Sequence, residues 1–403
     1  MYLTHLSLTD YRAFTRLDMD VPRRILLLVG KNAQGKTSIL EAVYYLATFT
    51  SFHAANDRQL VNFMAGSESL AVGRLVADYC RGQAQHRIEV RLIQENGNGG
   101  ARLRKEILID GVRKTAQSAM GHFTAVIFLP QMMRIIEGAP EERRRYLNLA
   151  LSQALPGYAR DLSEYAQLLT QRNALLKQLS ERSGDADQLV YWDELLAQRG
   201  AAIMHARIQA VREIEFSATR IHHRLTSAQE VLRLYYLPAY DPLAQLNGQY
   251  ALPLAAQVDL AGLSQEQLYR GFRQRLEAIR QEEIARGMTT VGPHRDDLRI
   301  IANAVDLGYY GSRGQARTAI LALKLAEVSW LQEKTGHWPV LLLDEIMAEL
   351  DLQRRDDVLS ALANCEQALL TTTDLHLFSS DFVKNNTVWQ VTGGQVSAIP
   401  ADF

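Results

Sequence analysis

Gly30, Gly35, Lys36 and Thr37 stand in the run Gly30-Lys31-Asn32-Ala33-Gln34-Gly35-Lys36-Thr37, which fits the spacing G-x-x-x-x-G-K-[ST]. Residues of these types at this spacing can hold a chain of phosphates. The glycines let the backbone curl so that its N–H groups point inward, and the following helix adds the positive end of its dipole. Lys36 would reach the β and γ phosphates, and Thr37 would place its hydroxyl on Mg²⁺. Gly30, Lys31, Asn32, Ala33, Gln34, Gly35, Lys36, Thr37 and Ser38 are the candidate nucleotide contacts. A glycine-rich turn with a surface lysine is the competing reading, and the flanks weigh against it. The apolar run Ile25-Leu26-Leu27-Leu28-Val29 precedes the loop, and the helical pattern Ser38 to Leu46 follows it. Strand, glycine loop and helix are the context that this chemistry needs.

A second set of candidate groups lies some three hundred residues on. In Pro339-Val340-Leu341-Leu342-Leu343-Asp344-Glu345 an apolar strand ends in two acids. A buried strand would deliver both carboxylates to the edge of the sheet where open α/β folds bind ligands. Asp344 would orient a Mg²⁺-bound water, and Glu345 would take a proton from an attacking water. Ser312-Arg313-Gly314-Gln315 opens a helix from Ala316 to Lys334 that Gly336 ends; a hydroxyl, a glycine and a helix N-terminus there form a second anion-binding device. Asp351 follows in Ala348-Glu349-Leu350-Asp351, placed to cap another helix. Each of these pieces alone reads as plain capping or a solvated loop; their order along one chain gives them weight.

The elements that must position these groups fall into three stretches. Residues 1–137 mix strands and helix, with alternation in Tyr2 to Leu8 and in Arg87 to Leu92, a glycine turn at Asn96-Gly97-Asn98-Gly99-Gly100, and a short strand Ala125 to Leu129. Residues 138–285 are rich in helix formers, with Leu168, Leu169, Leu175, Leu176 and Leu179 and then Leu189, Trp192 and Leu195 at helical spacing. Pro238, Pro242 and Pro253 interrupt that pattern before a helix resumes near Ser264. Residues 286–403 return to α/β character. The expected fold class is an α/β P-loop head with an inserted, mainly helical lobe.

With 403 residues, 47% apolar and 22% charged, the chain is long enough for two or three domains and too apolar to be disordered. No apolar run reaches the roughly 18 residues of a membrane span, and the N-terminus lacks a secretory leader pattern. Cys80 and Cys365 lie far apart without metal-ligand spacing, as expected for buried thiols in a cytoplasmic protein. The net charge of −1 points to no partner by itself. Any nucleic-acid contact would need a local basic face. Arg102, Arg104, Lys105, Arg113 and Lys114 on the expected hairpins form one candidate, and Arg143, Arg144 and Arg145 another, with Glu137, Glu141 and Glu142 beside the latter.

The order of phosphate loop, S-x-G-Q before a helix, strand with Asp-Glu and then L-D resembles the ABC-type ATPases. Within them the chain is most similar to the RecF family, from its first strand to about residue 380. The pieces that carry this are Tyr11-Arg12-Ala13-Phe14, Leu40-Glu41-Ala42, Gly292-Pro293-His294-Arg295-Asp296-Asp297-Leu298, Ser312 to Thr318, Leu323-Lys324-Leu325-Ala326-Glu327 and Thr371-Thr372-Thr373-Asp374. The chain departs from the family pattern at Pro130-Gln131-Met132-Met133, where an acidic pair is usual, and at Asn148, where an aspartate is usual.

The resemblance implies ATP and Mg²⁺ as cofactors and an active site split between two subunits. The loop of one chain, with Asp344 and Glu345, would hold ATP·Mg²⁺. Ser312, Gly314 and Gln315 of the other would cap the γ-phosphate. Thr373 would sense that phosphate, Asp351 would lie near the seam, and Gln131, in place of the usual acid, would contact the metal. It implies an ATP-dependent homodimer with slow, DNA-stimulated hydrolysis used as a switch. It also implies binding to gapped, duplex, junction or single-stranded DNA, and action with RecO and RecR to load RecA and support replication restart. His294, Asp296 and Asp297 read as structural. The alternatives are an SMC-like structural ATPase, which would need a longer heptad arm, and another ABC-type ATPase not acting on DNA gaps, such as a transporter subunit or a defence ATPase. The long insertion and the absence of length for a nuclease domain weigh against the last two.

Overall fold

Two kinds of strand build the first of two units in the computed structural model, which describes residues 1–97, 100–182, 184–242 and 260–399. Asn98 and Gly99 of the expected turn, and Pro253, lie outside the described residues. The first unit comprises residues 1–132 and 327–403, and the second residues 133–326.

In the first unit, an antiparallel sheet runs in the order β2 (Phe14–Asp20), β1 (Tyr2–Tyr11), β4 (Leu70–Arg81), β5 (Ala84–Gly97), β6 (Gly100–Ile109), β7 (Val112–Lys114). Its strands alternate: Ile88, Val90 and Leu92 of β5 are buried, while Arg87 and Arg91 face outward. The other sheet runs β15 (Gln395–Ala398), β14 (Thr387–Thr392), β3 (Arg24–Val29), β13 (Gln367–Thr372), β12 (Val340–Asp344), β8 (Ala125–Phe128). From β14 to β8 all pairings are parallel. Its inner strands are continuous apolar runs because both faces are covered: β12 and β13 are buried along their whole length. Helix α1 (Lys36–Thr48) packs on β8, β12 and β13 of this sheet and on β4 and β5 of the other, with Ile39, Leu40, Val43 and Leu46 fully buried.

The second unit is led by α2 (Pro140–Ala154), α3 (Tyr158–Glu181), α4 (Gln188–Leu225), α5 (Gln265–Ala278) and α6 (Arg280–Arg286). Along α4 the buried repeat is Leu189, Leu196, Ile203 and Ala210, a seven-residue seam packed on α3 and α5. Trp192 and Leu195, expected in that seam, are only half-buried. A strand also lies inside the stretch read as helices: β9 (Leu232–Leu237) pairs with β10 (Asp297–Ala302), which pairs with β11 (Val305–Asp306). Leu232, Leu234 and Tyr236 alternate inward, a period of two just ahead of Pro238. Because β10 pairs with β9, residues 286–326 cluster with the helical unit. The helix Arg313–Thr335 clusters with the second unit through Ala326. Cys80 and Cys365 are buried free thiols, and burial pushes that of Cys365 up to about 11. No helix among the described residues is long and apolar enough to cross a membrane.

Candidate functional site

The parallel order β3-β13-β12 decides what meets at the sheet's C-terminal edge. The loop after β3 and the acids ending β12 flank the end of β13. Gly30 must be glycine because β14 comes so close: a Cβ there would sit 2.4 Å from the Val391 carbonyl oxygen. Gly35 caps α1 with φ 107°, and a Cβ on it would meet Phe14 Cζ at 2.8 Å. With Ala33 also left-handed at φ 64°, the loop has the curled backbone that lets successive N–H groups face a phosphate. Gln34 braces it from outside, accepting from the Gly393 N–H at 2.6 Å.

Lys36 is 4% exposed, and its Nζ donates to the carbonyls of Gly30 (2.7 Å) and Lys31 (3.1 Å) while lying 3.1 Å from Glu345 Oε1. The Thr37 hydroxyl donates to Asp344 Oδ1 at 2.9 Å and lies 3.1 Å from Oδ2. A hydroxyl and a carboxylate this close form a hard oxygen pair of the kind that holds Mg²⁺ with water and phosphate, so the residues fit ATP·Mg²⁺. Glu345 itself has φ 53°, a left-handed backbone that costs a non-glycine residue about 1–2 kcal/mol. That turn carries its side chain to Lys36.

Glu41, on the first turns of α1, is 1% exposed and takes two donors from Arg12, at 2.7 and 2.8 Å, and one from Ser51. Arg12 also donates to the Gln59 carbonyl at 3.0 Å. This pair ties the β1–β2 turn to the helix behind the loop. Removing Arg12 strands the buried Glu41 carboxylate, at a cost of about 3–5 kcal/mol.

Gln131 is exposed in the turn Pro130–Met133, just past β8 at the same sheet edge. Thr373 is exposed immediately after β13. Asp351 caps the helix Leu352–Leu362, accepting from the Arg354 N–H at 2.9 Å. Ser312 and Gln315 form a reciprocal capping box: the Gln315 N–H donates to Ser312 Oγ at 3.2 Å and the Ser312 N–H to Gln315 Oε1 at 3.1 Å. Gly314 is exposed beside them, and Gln315 Nε2 donates to Glu230 Oε1 at 2.8 Å. The structure therefore brings together Lys36, Thr37, Asp344 and Glu345, all in the first unit. Ser312, Gly314 and Gln315 belong to the second. Thr371 has no assigned role in the sequence beyond the run Thr371 to Asp374 that carries the resemblance, yet it touches both acids (2.7 Å from Asp344 Oδ1, 3.0 Å from the Glu345 nitrogen). The signal lies in the register, which the sequence alone does not show: Thr371 pairs with Asp344 across β12 and β13.

Comparison with known proteins places this geometry. The family model described as the RecF/RecN/SMC N-terminal domain matches residues 2–395. "DNA replication and repair protein RecF" of Roseiflexus castenholzii is 37% identical over 98% of this chain and 99% of its own length. The protein of that name from Chloroflexus aurantiacus is 38% identical over 99% of this chain and 100% of its own. The chain belongs to the RecF family. A solved structure, "the recombination mediator protein RecF-ATP in RecFOR pathway", superposes with a TM-score of 0.81 at 29% identity, covering 99% of each chain. The fold is thus the ABC-type P-loop ATPase head with its inserted lobe.

The G-P-H-R-D-D-L run that marks the RecF resemblance forms a structural knot in the second unit. Asp296 is fully buried, and burial holds its carboxyl above the usual range; it accepts from Tyr236 and from the Ala239 N–H at 2.7 Å. Asp297 takes both ends of Arg143, at 2.7 and 3.0 Å. Arg144 donates to the Asp296 carbonyl at 2.8 Å. The Arg143–Arg145 run is therefore largely engaged inside its own unit. Arg207, buried, donates to the Pro293 carbonyl at 2.6 Å and to Asn148 Oδ1 at 2.8 Å. At Asn148, the departure from the family's aspartate, the amide oxygen still serves Arg207 and the Tyr158 hydroxyl.

The hairpin candidates divide by face. Lys105 turns inward to Asp57 (2.8 Å), the Phe49 carbonyl (2.9 Å) and the Tyr45 ring. On the outer face, Glu89 binds Arg74 and Arg91, and Glu106 lies beside Arg104 (3.2 Å) and Arg113 (3.7 Å). The carboxylates keep 10 and 15% of their side-chain area exposed, and the four arginines keep 40–65%. The acids are sunk beneath a guanidinium layer, so this face presents positive charge outward.

Proposed function

We propose that this chain is an ATP-dependent DNA-binding protein of recombinational repair, and a slow ATPase whose hydrolysis acts as a switch. The observation that carries this is the convergence of Lys36, Thr37, Asp344 and Glu345 at one sheet edge in a chain of the RecF family. Bound ATP·Mg²⁺ supplies the reactive phosphoanhydride and the cation that neutralises its charge. Lys36 and the loop N–H groups bind and orient the phosphates. Thr37 and Asp344 would hold Mg²⁺, with Gln131 close to the same edge. Glu345 takes the proton of the attacking water, and Thr373 meets the γ-phosphate. Ser312, Gly314 and Gln315 of a second copy complete the site, with Asp351 near the seam, so that ATP binding drives homodimerisation. The guanidinium layer over Glu89 and Glu106 contacts DNA phosphates, supplying the local basic face that a DNA-binding protein of near-zero net charge needs. RecO and RecR are the expected partners, through which RecA is loaded at gaps.

The test is a titration of fluorescent gapped, duplex and single-stranded DNA, each with and without ATP·Mg²⁺. The expected result is tighter binding with ATP and a preference for gapped or duplex DNA. DNA affinity that ignores ATP on every substrate would point instead to an ATPase of this fold with another partner.

A further inference from the structure

Thr371 is the residue of β13 that faces both acids. It is 1% exposed and pairs in register with Asp344. Its hydroxyl oxygen lies 2.7 Å from Asp344 Oδ1 and 3.0 Å from the backbone nitrogen of Glu345. A carboxylate only accepts and an amide N–H only donates, so the direction of both bonds is fixed. The Thr371 O–H donates to Oδ1, and a lone pair of the same oxygen takes the Glu345 N–H. Oδ1 thus receives two hydroxyls, Thr371 at 2.7 Å and Thr37 at 2.9 Å, while Oδ2 has the longer Thr37 approach of 3.1 Å. The carboxylate is pinned by one oxygen and presents the other.

The second bond reaches the N–H of the very residue whose backbone is left-handed, Glu345 at φ 53°. One hydroxyl therefore holds both the rotamer of Asp344 and the turn that aims Glu345 at Lys36. The neighbouring threonine shows what a merely local role looks like: the Thr372 hydroxyl donates to the Asp374 carbonyl at 2.9 Å and accepts from the Asp374 N–H at 3.1 Å, closing its own turn. The strand has no need of the Thr371 hydroxyl either. Leu369 and Leu370 beside it are fully buried, and valine, β-branched and of the same shape, suits such a position.

We propose that Thr371 is a positioning residue of the nucleotide site: it clamps Asp344 Oδ1 and the Glu345 N–H together, turning Asp344 Oδ2 toward Mg²⁺ and setting the Glu345 carboxylate beside the phosphates. This rests on the ATP·Mg²⁺ reading above. Mg²⁺ demands near-ideal octahedral geometry, so a carboxylate free to rotate binds it poorly.

The experiment compares the full-length wild type with Thr371→Val and Thr371→Ser. Affinity for a fluorescent ATP analogue is measured without metal and across a Mg²⁺ titration, and hydrolysis is measured in parallel. Thr371→Val is expected to keep the metal-free affinity, which Lys36 and the loop provide. It is expected to raise the half-saturating Mg²⁺ concentration about tenfold, and to lower kcat at least as much, as loss of a hydrogen bond to a charged group would. Thr371→Ser restores both because it returns the hydroxyl. A valine variant with the wild-type Mg²⁺ midpoint and kcat overturns the proposal. So does a serine variant as impaired as the valine one, which would assign the effect to the methyl group. A wild type whose nucleotide affinity gains nothing from Mg²⁺ would remove the underlying ATP·Mg²⁺ reading, an outcome distinct from both.

Discussion

Lys36 Nζ lies 3.1 Å from Glu345 Oε1, so the cation proposed for the phosphates and the carboxylate proposed for the water hold one another. On that proposal a γ-phosphate entering the loop would compete with Glu345 for Lys36. Winning that competition would free the carboxylate to face the water. Glu345→Gln removes the competitor's charge while keeping its shape. It is expected to bind ATP about two- to fivefold more tightly, the scale of a partly exposed ion pair. It should hydrolyse ATP about 10²- to 10⁴-fold more slowly, the usual contribution of a general base. Lys36→Ala should lose productive ATP binding with the fold intact. Equilibrium binding of a fluorescent ATP analogue and single-turnover hydrolysis check all three. A glutamine variant that binds more weakly than wild type would show that Glu345 does not compete for Lys36.

The arginine face makes a prediction about salt. Replacing Arg74, Arg104 and Arg113 by glutamine leaves Arg91 beside both acids, 2.6 Å from Glu89 and 4.0 Å from Glu106, so the sheet should stay folded. If each arginine meets one phosphate, the slope of log affinity against log salt should fall by about 0.9 per arginine removed. ATP binding should not change. A slope equal to that of the wild type would place the DNA contact on another face.

Much of this site was legible because its chemistry is local in sequence. The phosphate loop, the acids after an apolar strand, and the caps at Ser312 and Asp351 are each a few residues long, with neighbours that fix their conformation. What was not legible came from pairing. Thr371 acquires its partners only through the register of β12 and β13. The strand Leu232–Leu237 was hidden in a helix-rich stretch, because its partner, Asp297–Ala302, lies some sixty residues on. Charge runs misled for the same reason. Lys105 and Arg143 look like surface cations, yet Asp57 and Asp297, distant in sequence, meet them in the fold.

His294 predicts a pH dependence of stability. Its Nε2–H faces the Thr289 carbonyl at 3.3 Å, so Nδ1 accepts from the Tyr165 hydroxyl at 2.8 Å. Burial pushes the imidazole down to about 4 from its ordinary value of 6.5. A folded-state value below the unfolded one means that the unfolded chain takes up the proton first. Stability is therefore complete above about pH 6.5 and is lost as pH falls toward 4, by about 3 kcal/mol in total. Asp296 acts with the opposite sign: burial raises its carboxyl, so the folded state takes up that proton first and regains stability at the acid end. His294→Asn should flatten the loss between pH 6.5 and 4, read as the urea midpoint against pH. An unchanged slope would assign the acid sensitivity to another group.

Ser312→Arg tests whether the site is shared between two chains. Ser312 is exposed and caps its own helix through Gln315, in the unit that does not carry Lys36. If that cap faces the γ-phosphate held by a second copy, a bulky cation there blocks closure without touching the nucleotide of its own chain. The variant should bind ATP with near-wild-type affinity as a monomer and lose both ATP-driven dimerisation and hydrolysis, followed by light scattering and phosphate release. Loss of the cap itself should cost stability by about 1 kcal/mol, too little to unfold the chain. Mixing with the Lys36→Ala protein should restore some hydrolysis, because a heterodimer then holds one intact site, built from Lys36 of the arginine variant and Ser312 of the other chain. The opposite site carries both defects and limits closure, so recovery should be partial. The decisive number is the ATP affinity of Ser312→Arg alone. If it falls as far as that of Lys36→Ala, Ser312 serves the nucleotide of its own subunit, and the two-chain site is wrong.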